Sequence, residues 1–337
     1  MEVLTRDLEI SIVVPVYGSE VILPELVRQV AAVMDQQQWT YEVIFVCDQS
    51  PDNSWRVICE LQRQNASVRG ILLRINAGQH NALMAGLNEA RGRIIVTMDD
   101  DLQHSPADIP SLVEGIKVGY DVVYARFTNR RHPLWKIMGS RINDMVARFL
   151  VKKPRDLYLS PFRAMQAGVR DEIQRYTGPF VYVDGLILCA TRNIHSVDVE
   201  HHARSAGNSR YGFRKSFSLW LKMATSFSIA PLRLTSVVGV AVALLGFLFA
   251  LYLVIERLTM DVMPTGWASL IVTILIMGGA QLIALGLLGE YLGRMFLTIN
   301  ARPQYVIAQR VGFRPDNDGH AADQSSVQEY NGATRLG

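Results

Sequence analysis

Apolar residues in the first part of the chain fall into two alternating patterns. Short runs rich in β-branched residues, bounded by turn formers, occur at Ile10–Val16 (ISIVVPV), Tyr41–Val46 (YEVIFV), Val68–Leu73 (VRGILL), Gly92–Met98 (GRIIVTM) and Tyr120–Ala125 (YDVVYA). The first of these, continuously apolar, predicts a buried strand, and the others read as further strands. Between them, Leu23–Met34, Trp55–Gln64, His80–Ala90 and Pro106–Ile116 place apolar residues at helical spacing. The βαβα alternation predicts an α/β fold, an open and mostly parallel sheet with helices on both faces. Such sheets bind ligands beyond the carboxyl ends of their strands. Pro15 and Tyr17 end the first strand, Asp48 follows the second, and Asp99, Asp100 and Asp101 follow the fourth. These distant residues are expected to share one crevice.

The pattern changes after Arg126. As far as Gly212 it is irregular, with many basic and aromatic residues, and Phe213–Phe227 alternates basic with bulky apolar positions. That stretch suits an amphipathic helix in the membrane interface, an ordinary surface helix being the alternative. Leu234–Ile255 and Val262–Gly289 carry no charge, and each exceeds the roughly 20 residues that cross a hydrocarbon core. A buried core helix would explain either run alone; two runs with a short polar link predict a transmembrane hairpin, with spans at about 234–255 and 266–289. Six Lys or Arg residues and no acid lie between His201 and Arg233, and Arg294, Arg302 and Arg310 follow the second run. The link holds only Arg257 against Glu256 and Asp261. The positive-inside rule then places both flanks in the cytoplasm and the link outside. The expected partition is a cytoplasmic catalytic domain over 1–212, a juxtamembrane helix over 213–230, the two spans within 231–296, and a cytoplasmic tail over 297–337 that is disordered after about 315.

Composition adds bounds. A chain of 337 residues holds one or two domains. The net charge of +3 gives no electrostatic case for nucleic acid, and none is expected as a partner. Cys47, Cys59 and Cys189 show no metal spacing, and an odd number cannot complete a disulfide framework. The N-terminus has acids where a signal peptide has bases, so no cleaved signal is read. No G-x-G-x-x-G opens the first helix and no P-loop occurs, which argues against dinucleotide dehydrogenases and P-loop enzymes. In TMDDDLQHSP, three adjacent carboxylates follow an apolar strand. A solvated loop tip would tolerate them, whereas leaving water requires a compensating partner such as a divalent cation.

VVPVYGSE, VCDQSPDNS, NAGQHNALMAGL, DDDLQHSP, RSAGNSRY and GLLGEYLGR occur in this order. In that series, running from about Ile10 to Tyr305, the chain resembles family 2 glycosyltransferases of the GT-A fold, and within them the polyprenyl-phosphate glycosyltransferases. The resemblance implies inverting transfer of one sugar from a nucleotide-sugar donor, with uridine as the base, to a polyprenyl phosphate such as undecaprenyl phosphate. It also implies a multi-pass protein of the bacterial inner membrane with both termini cytoplasmic, serving cell-envelope glycan or lipopolysaccharide modification. Because relatives form homo-oligomers, a homo-oligomer is expected.

Roles follow from the same resemblance. Pro15, Tyr17, Glu20, Asp48, Asp99 and Asp100 would bind the nucleotide sugar, Asp48 receiving a hydrogen bond from uracil. Asp99, Asp101 and Gln103, from the pattern D-x-D-L-Q, would hold Mg²⁺ or Mn²⁺, which hard oxygen ligands suit. Arg204, Ser209 and Tyr211, from the pattern R-x-x-G-x-S-x-Y, would gather the acceptor or diphosphate, and the basic segments themselves offer Arg126, Arg130 and Lys136 as further cationic clamps. Arg126, Arg204 and Asp156 are the catalytic candidates; Asp156 enters because Pro161 stands before Phe162–Arg163 where some relatives have an acid. CDQS departs from the usual two acids and glycine at Cys47 and Gln49. His80 and His104 read as loop or site-edge histidines. A processive polysaccharide synthase is the first alternative, although no Q-x-x-R-W motif occurs. The second is a degenerate membrane adaptor that only binds nucleotide sugar.

Overall fold

Every residue of β1 (Ile10–Val16) is buried, because β1 lies inside a sheet covered on both faces. The computed structural model describes residues 8–127, 158–199, 230–259, 266–300 and 302–313. After β1 come α1 (Leu23–Gln37), β2 (Tyr41–Cys47), α2 (Ser54–Gln64), β3 (Val68–Leu73), α3 (Gln79–Glu89), β4 (Ile94–Thr97), α4 (Ile109–Val118) and β5 (Val122–Phe127). The chain continues through β6 (Arg163–Gln166), α5 (Ala167–Gln174), α6 (Val183–Ala190) and β7 (Ile194–Val199). The long helices α7 (Ala230–Thr259) and α8 (Trp267–Ile299) follow, and then β8 (Ile307–Val311).

The strand order is β7-β5-β6-β4-β1-β2-β3-β8. β1 pairs in parallel with β2 and β4, β2 with β3, and β5 with β7. β6 runs antiparallel between β4 and β5, and β8 antiparallel along β3. The sheet is therefore mixed, with only β6 and β8 opposed to the rest.

Alternation along β1 divides the core. Ile12 and Val14 join Leu26, Val30 and Met34 of α1 and Leu112 of α4 on one face. Val13 meets α3 on the other, where a Cβ added at Gly86 would lie 2.3 Å from Val13 Cγ1 and 3.0 Å from Val46 Cγ2. Glycine there lets α3 approach the sheet directly. Gly86→Ala is expected to cost about 1–3 kcal/mol through overpacking, read as a lower melting temperature.

Three strands depart from the sequence reading. β6 (RAMQ) is too short for a periodic signal and carries a buried arginine. β7 has a mostly half-exposed pattern. β8 falls in the segment assigned wholly to a tail, yet it completes the sheet edge, with Trp55 Nε1–H donating to Gln309 Oε1 at 2.9 Å and Arg310 paired with Glu89 at 2.9 Å. Its apolar positions find partners only because β3 offers an open edge.

The chain divides into two units. One contains Met1–Leu134, Pro154–Ser209 and Pro303–Gly337, and thus the whole sheet. The other contains Trp135–Lys153 and Arg210–Arg302, and thus α7 and α8. Both predicted stretches are helical: α7 runs past 234–255 at both ends, and α8 starts at Trp267 and runs past 289 to Ile299. Among the described residues one stretch, Ile276–Ile299, is long and apolar enough to cross a membrane; Thr235–Phe249 is a shorter apolar stretch. Leu245, Phe247, Leu282 and Ile283 are all exposed, which does not fit the core helix of a soluble protein. Glu290 and Arg294 pair at 2.8 Å, one turn apart.

Candidate active site

The strand order turns around β1: β2 and β3 lie to one side, β4 to the other. Chain segments leaving the carboxyl ends of β1 and β4 diverge there and open a crevice. Its volume is about 340 Å³, and Pro15, Tyr17, Asp48, Asp99, Asp100 and Asp101 line it together with Asn76, Gly78 and Gln79. The sheet thus brings together acids separated by half a hundred positions along the chain.

Asp48 is buried and holds the loop between β3 and α3. Ala77 N–H donates to its Oδ1 at 2.7 Å and Gly78 N–H to its Oδ2 at 2.8 Å, while Asn76 Nδ2 donates to its carbonyl at 3.0 Å. Gly78 has φ of 88°, a left-handed conformation that suits glycine. The NAG of the quoted motif is therefore the partner of the strand-two acid. The next residue, Gln49, has φ of 52°, in the region where a Cβ costs about 1–2 kcal/mol. Gln49→Gly is expected to add about 0.5–1 kcal/mol of stability, the relief being partly offset by glycine's greater freedom when unfolded; chemical denaturation would measure it.

The three carboxylates after β4 are not equivalent. Asp100 Oδ2 accepts Tyr17 N–H at 3.0 Å and Ser19 Oγ–H at 2.5 Å, so it fastens the turn after β1. Asp101 Oδ1 accepts Gln103 N–H at 3.1 Å, and Leu102 takes a φ of 57° that reverses the chain. Asp99 Oδ1 accepts Gln79 Nε2–H at 2.7 Å. Burial, then the charges of Asp101 and Asp100, push the Asp99 carboxyl up to about 7, with Arg163 and Gln79 opposing. Burial also raises Asp100, against its hydrogen bonds from Ser19 and Tyr17. The cluster is thus short of positive charge.

Beside it lies a buried polar group. Arg163, on β6 opposite Thr97 of β4, is 1% exposed and forms an ion pair with Asp184 at the start of α6. Tyr124 O–H donates to Asp184 Oδ1 at 3.0 Å. His80 packs edge-on to Tyr182 at 5.3 Å. Burial lowers the His80 pKa; Asp184 opposes this and Arg163 adds to it. Asp184 and Tyr124 escaped the sequence reading. A lone arginine inside the otherwise apolar FRAM was the available signal, since an arginine among core residues needs an acid.

Among the described residues, Glu20, Gln103 and Arg126 do not line the crevice. Glu20 Oε2 accepts Asn53 N–H at 2.7 Å and ties two loops. Arg126 makes a two-pronged pair with Asp198, at 2.5 and 2.9 Å, between β5 and β7. Arg130, Lys136, Asp156, Arg204, Ser209 and Tyr211 lie outside the described residues.

Among the described residues no three His, Cys, Asp or Glu side chains form a self-contained metal site. Hard oxygens are nevertheless available, because Asp99 and Asp101 reach the crevice with Gln103 following. These oxygens suit a hard divalent cation.

Comparisons with known proteins bear on this geometry. The sequence profile described as Glycosyl transferase family 2 matches residues 11–177. The undecaprenyl-phosphate 4-deoxy-4-formamido-L-arabinose transferase of Photorhabdus laumondii is 36% identical over 92% of this chain and 96% of its own. Proteins of the same name from Proteus mirabilis, 35% identical over 94% and 98%, and Shewanella sediminis, 37% identical over 88% and 91%, are similar as well. A looser likeness is to glucosyl-3-phosphoglycerate synthase from Mycobacterium tuberculosis in complex with Mn²⁺, uridine diphosphate and phosphoglyceric acid. It has a TM-score of 0.46 and 17% identity over 64% of this chain and 76% of that one. With relatives of this identity aligned over nearly their whole length, the chain belongs to glycosyl transferase family 2, in its polyprenyl-phosphate glycosyltransferase group, and is a glycosyltransferase.

Proposed function

We propose that this enzyme transfers a single sugar from a uridine-diphosphate donor to undecaprenyl phosphate, with inversion at the anomeric carbon. The observation that carries the reading is the meeting of Pro15, Tyr17, Asp48 and the Asp99–Asp101 turn in one crevice at the carboxyl edge of the sheet. Tyr17, 58% exposed at the rim, offers a flat apolar surface to a nucleobase. Asp48 lines the crevice and fixes the loop that would border the base through the N–H groups of Ala77 and Gly78. Asp99 and Asp101, which line the crevice, would hold Mg²⁺ or Mn²⁺, with Gln103, off the crevice wall in this structure, turning in from the same loop to add an oxygen. When bound, the cation supplies positive charge where the diphosphate leaves.

The acceptor explains why no strong base is required. A lipid phosphate, with a second pKa near 6, is largely ionised at neutral pH. Its oxygen forms the new bond to the anomeric carbon as the bond to the diphosphate oxygen breaks, and no proton has to be removed. Arg204, with Ser209 and Tyr211, and the basic Arg130 and Lys136 would clamp the phosphates electrostatically. Asp156 and Arg126 are the further catalytic candidates, Arg126 being paired with Asp198 in this structure. The uncharged, unburied stretches of α7 and α8 and their basic flanks support a two-span hairpin that keeps the catalytic unit on the cytoplasmic side of the inner membrane. The similar transferases are named for 4-deoxy-4-formamido-L-arabinose, which makes a modified pentose the first donor to try.

Membranes containing the protein, supplied with undecaprenyl phosphate, Mg²⁺ and a panel of nucleotide sugars, are expected to yield one lipid-linked monosaccharide by mass spectrometry. Chelation should abolish it. A growing polymer would point to a synthase instead, and nucleotide binding without any lipid product to an adaptor.

A further inference from the structure

We propose that His104 is a positioning residue: through its Nδ1 it holds the Asp99–Asp101 turn in the shape that receives the cation and diphosphate. The proposal rests on the crevice being the donor site.

The sequence alone left His104 as a loop or site-edge residue. In the fold it is 5% exposed, with its ring stacked between Phe127 and Phe162 at centroid distances of 5.4 and 5.3 Å and interplanar angles of 14° and 15°. Phe127 ends β5 and Phe162 immediately precedes β6, so the two rings belong to the part of the sheet beside β4. The left-handed Leu102 turns the chain back, and Asp99 N–H then donates to His104 Nδ1 at 3.2 Å. An imidazole nitrogen that accepts carries no proton, so the ring proton sits on Nε2.

Two properties of histidine are thus used at once. Its flat ring fills the slot between two phenylalanines, and one ring nitrogen presents an acceptor to the backbone of the first carboxylate. Asp100 binds the turn to β1 and Gln79 binds Asp99 to α3, and the His104 contact fixes the Asp99 backbone against the ends of β5 and β6 that carry Phe127 and Phe162. Residues that orient ligands from behind typically change metal affinity about tenfold to a hundredfold when lost.

Two substitutions separate the properties. His104→Phe keeps a ring in the slot and removes the acceptor; His104→Asn gives up the ring and keeps an acceptor near the Nδ1 position. Three measurements on the purified full-length protein decide. These are the melting temperature, hydrogen exchange at the Asp99 amide without ligand, and affinity for UDP in the presence of Mn²⁺. His104→Phe is expected to melt close to the parent, lose Asp99 protection and bind Mn²⁺–UDP about tenfold or more weakly. His104→Asn should recover both protection and most of the affinity, even with a lower melting temperature. Parent-like affinity in His104→Phe overturns the proposal, as does equal impairment of the two variants. A parent that binds no UDP with Mn²⁺ overturns the donor-site reading instead. In that case the exchange comparison still decides whether His104 holds the turn.

Discussion

Asp101→Ala is expected to lower the turnover of lipid-linked sugar formation by about a hundredfold to a thousandfold, the usual effect of removing one group that stabilises charge in a transition state. The carboxylate reaches the crevice and also accepts Gln103 N–H at 3.1 Å. Alanine therefore removes a charge and a turn contact together. Asp101→Asn separates them, because its amide oxygen still receives the Gln103 N–H while the negative charge is gone. If charge is the important property, both variants lose activity and only the alanine variant loses a little melting temperature. Near-parent rates in Asp101→Asn would remove Asp101 from the cation site and leave it a structural residue. The assay is product formation by mass spectrometry at saturating Mg²⁺, with the melting temperature recorded in parallel.

The second large effect concerns stability. Arg163 is almost fully buried and pairs with Asp184, which also receives the hydroxyl of Tyr124. Taking away one partner of a buried pair strands the other charge, at a cost of about 3–5 kcal/mol. Arg163→Ala is thus expected to lower the melting temperature by roughly 6–20 °C, at the 2–4 °C per kcal/mol usual for domains of this size. Asp184→Asn should cost less, because the amide still accepts from Arg163 and Tyr124. Arg163 also opposes the upward shift of the Asp99 carboxyl, so activity should fall with stability in Arg163→Ala, whereas Asp184→Asn leaves that positive charge in place. A melting temperature for Arg163→Ala within a degree or two of the parent would show that the pair is not holding β6 against α6.

The sequence was most legible where burial is continuous. Ile10–Val16 and Val68–Leu73 matched their predicted limits, because a largely buried strand must be mostly apolar and turn formers must bound it. The acids at strand ends were legible for a related reason. Charge directly behind an apolar run places it at the rim of a sheet, and the alternation of strands and helices says which rims face the same way. β6 was invisible because its central feature, a buried arginine, reads as a surface residue until Asp184 is brought to it. β8 was invisible because an edge strand needs only half its residues to be apolar, and its partner β3 lies more than 200 positions earlier.

The same division runs through the site. Sequence order and residue type established a family 2 glycosyltransferase with clustered carboxylates and uncharged helical stretches, since both are local properties of the chain. Tertiary structure alone decided what each acid does. Asp48 grips the loop before α3, Asp100 fastens the turn after β1, and Asp99 and Asp101 are left facing the crevice. Hydrogen-bond partners and burial depend on which segments the sheet brings side by side, and no single stretch of sequence carries that information.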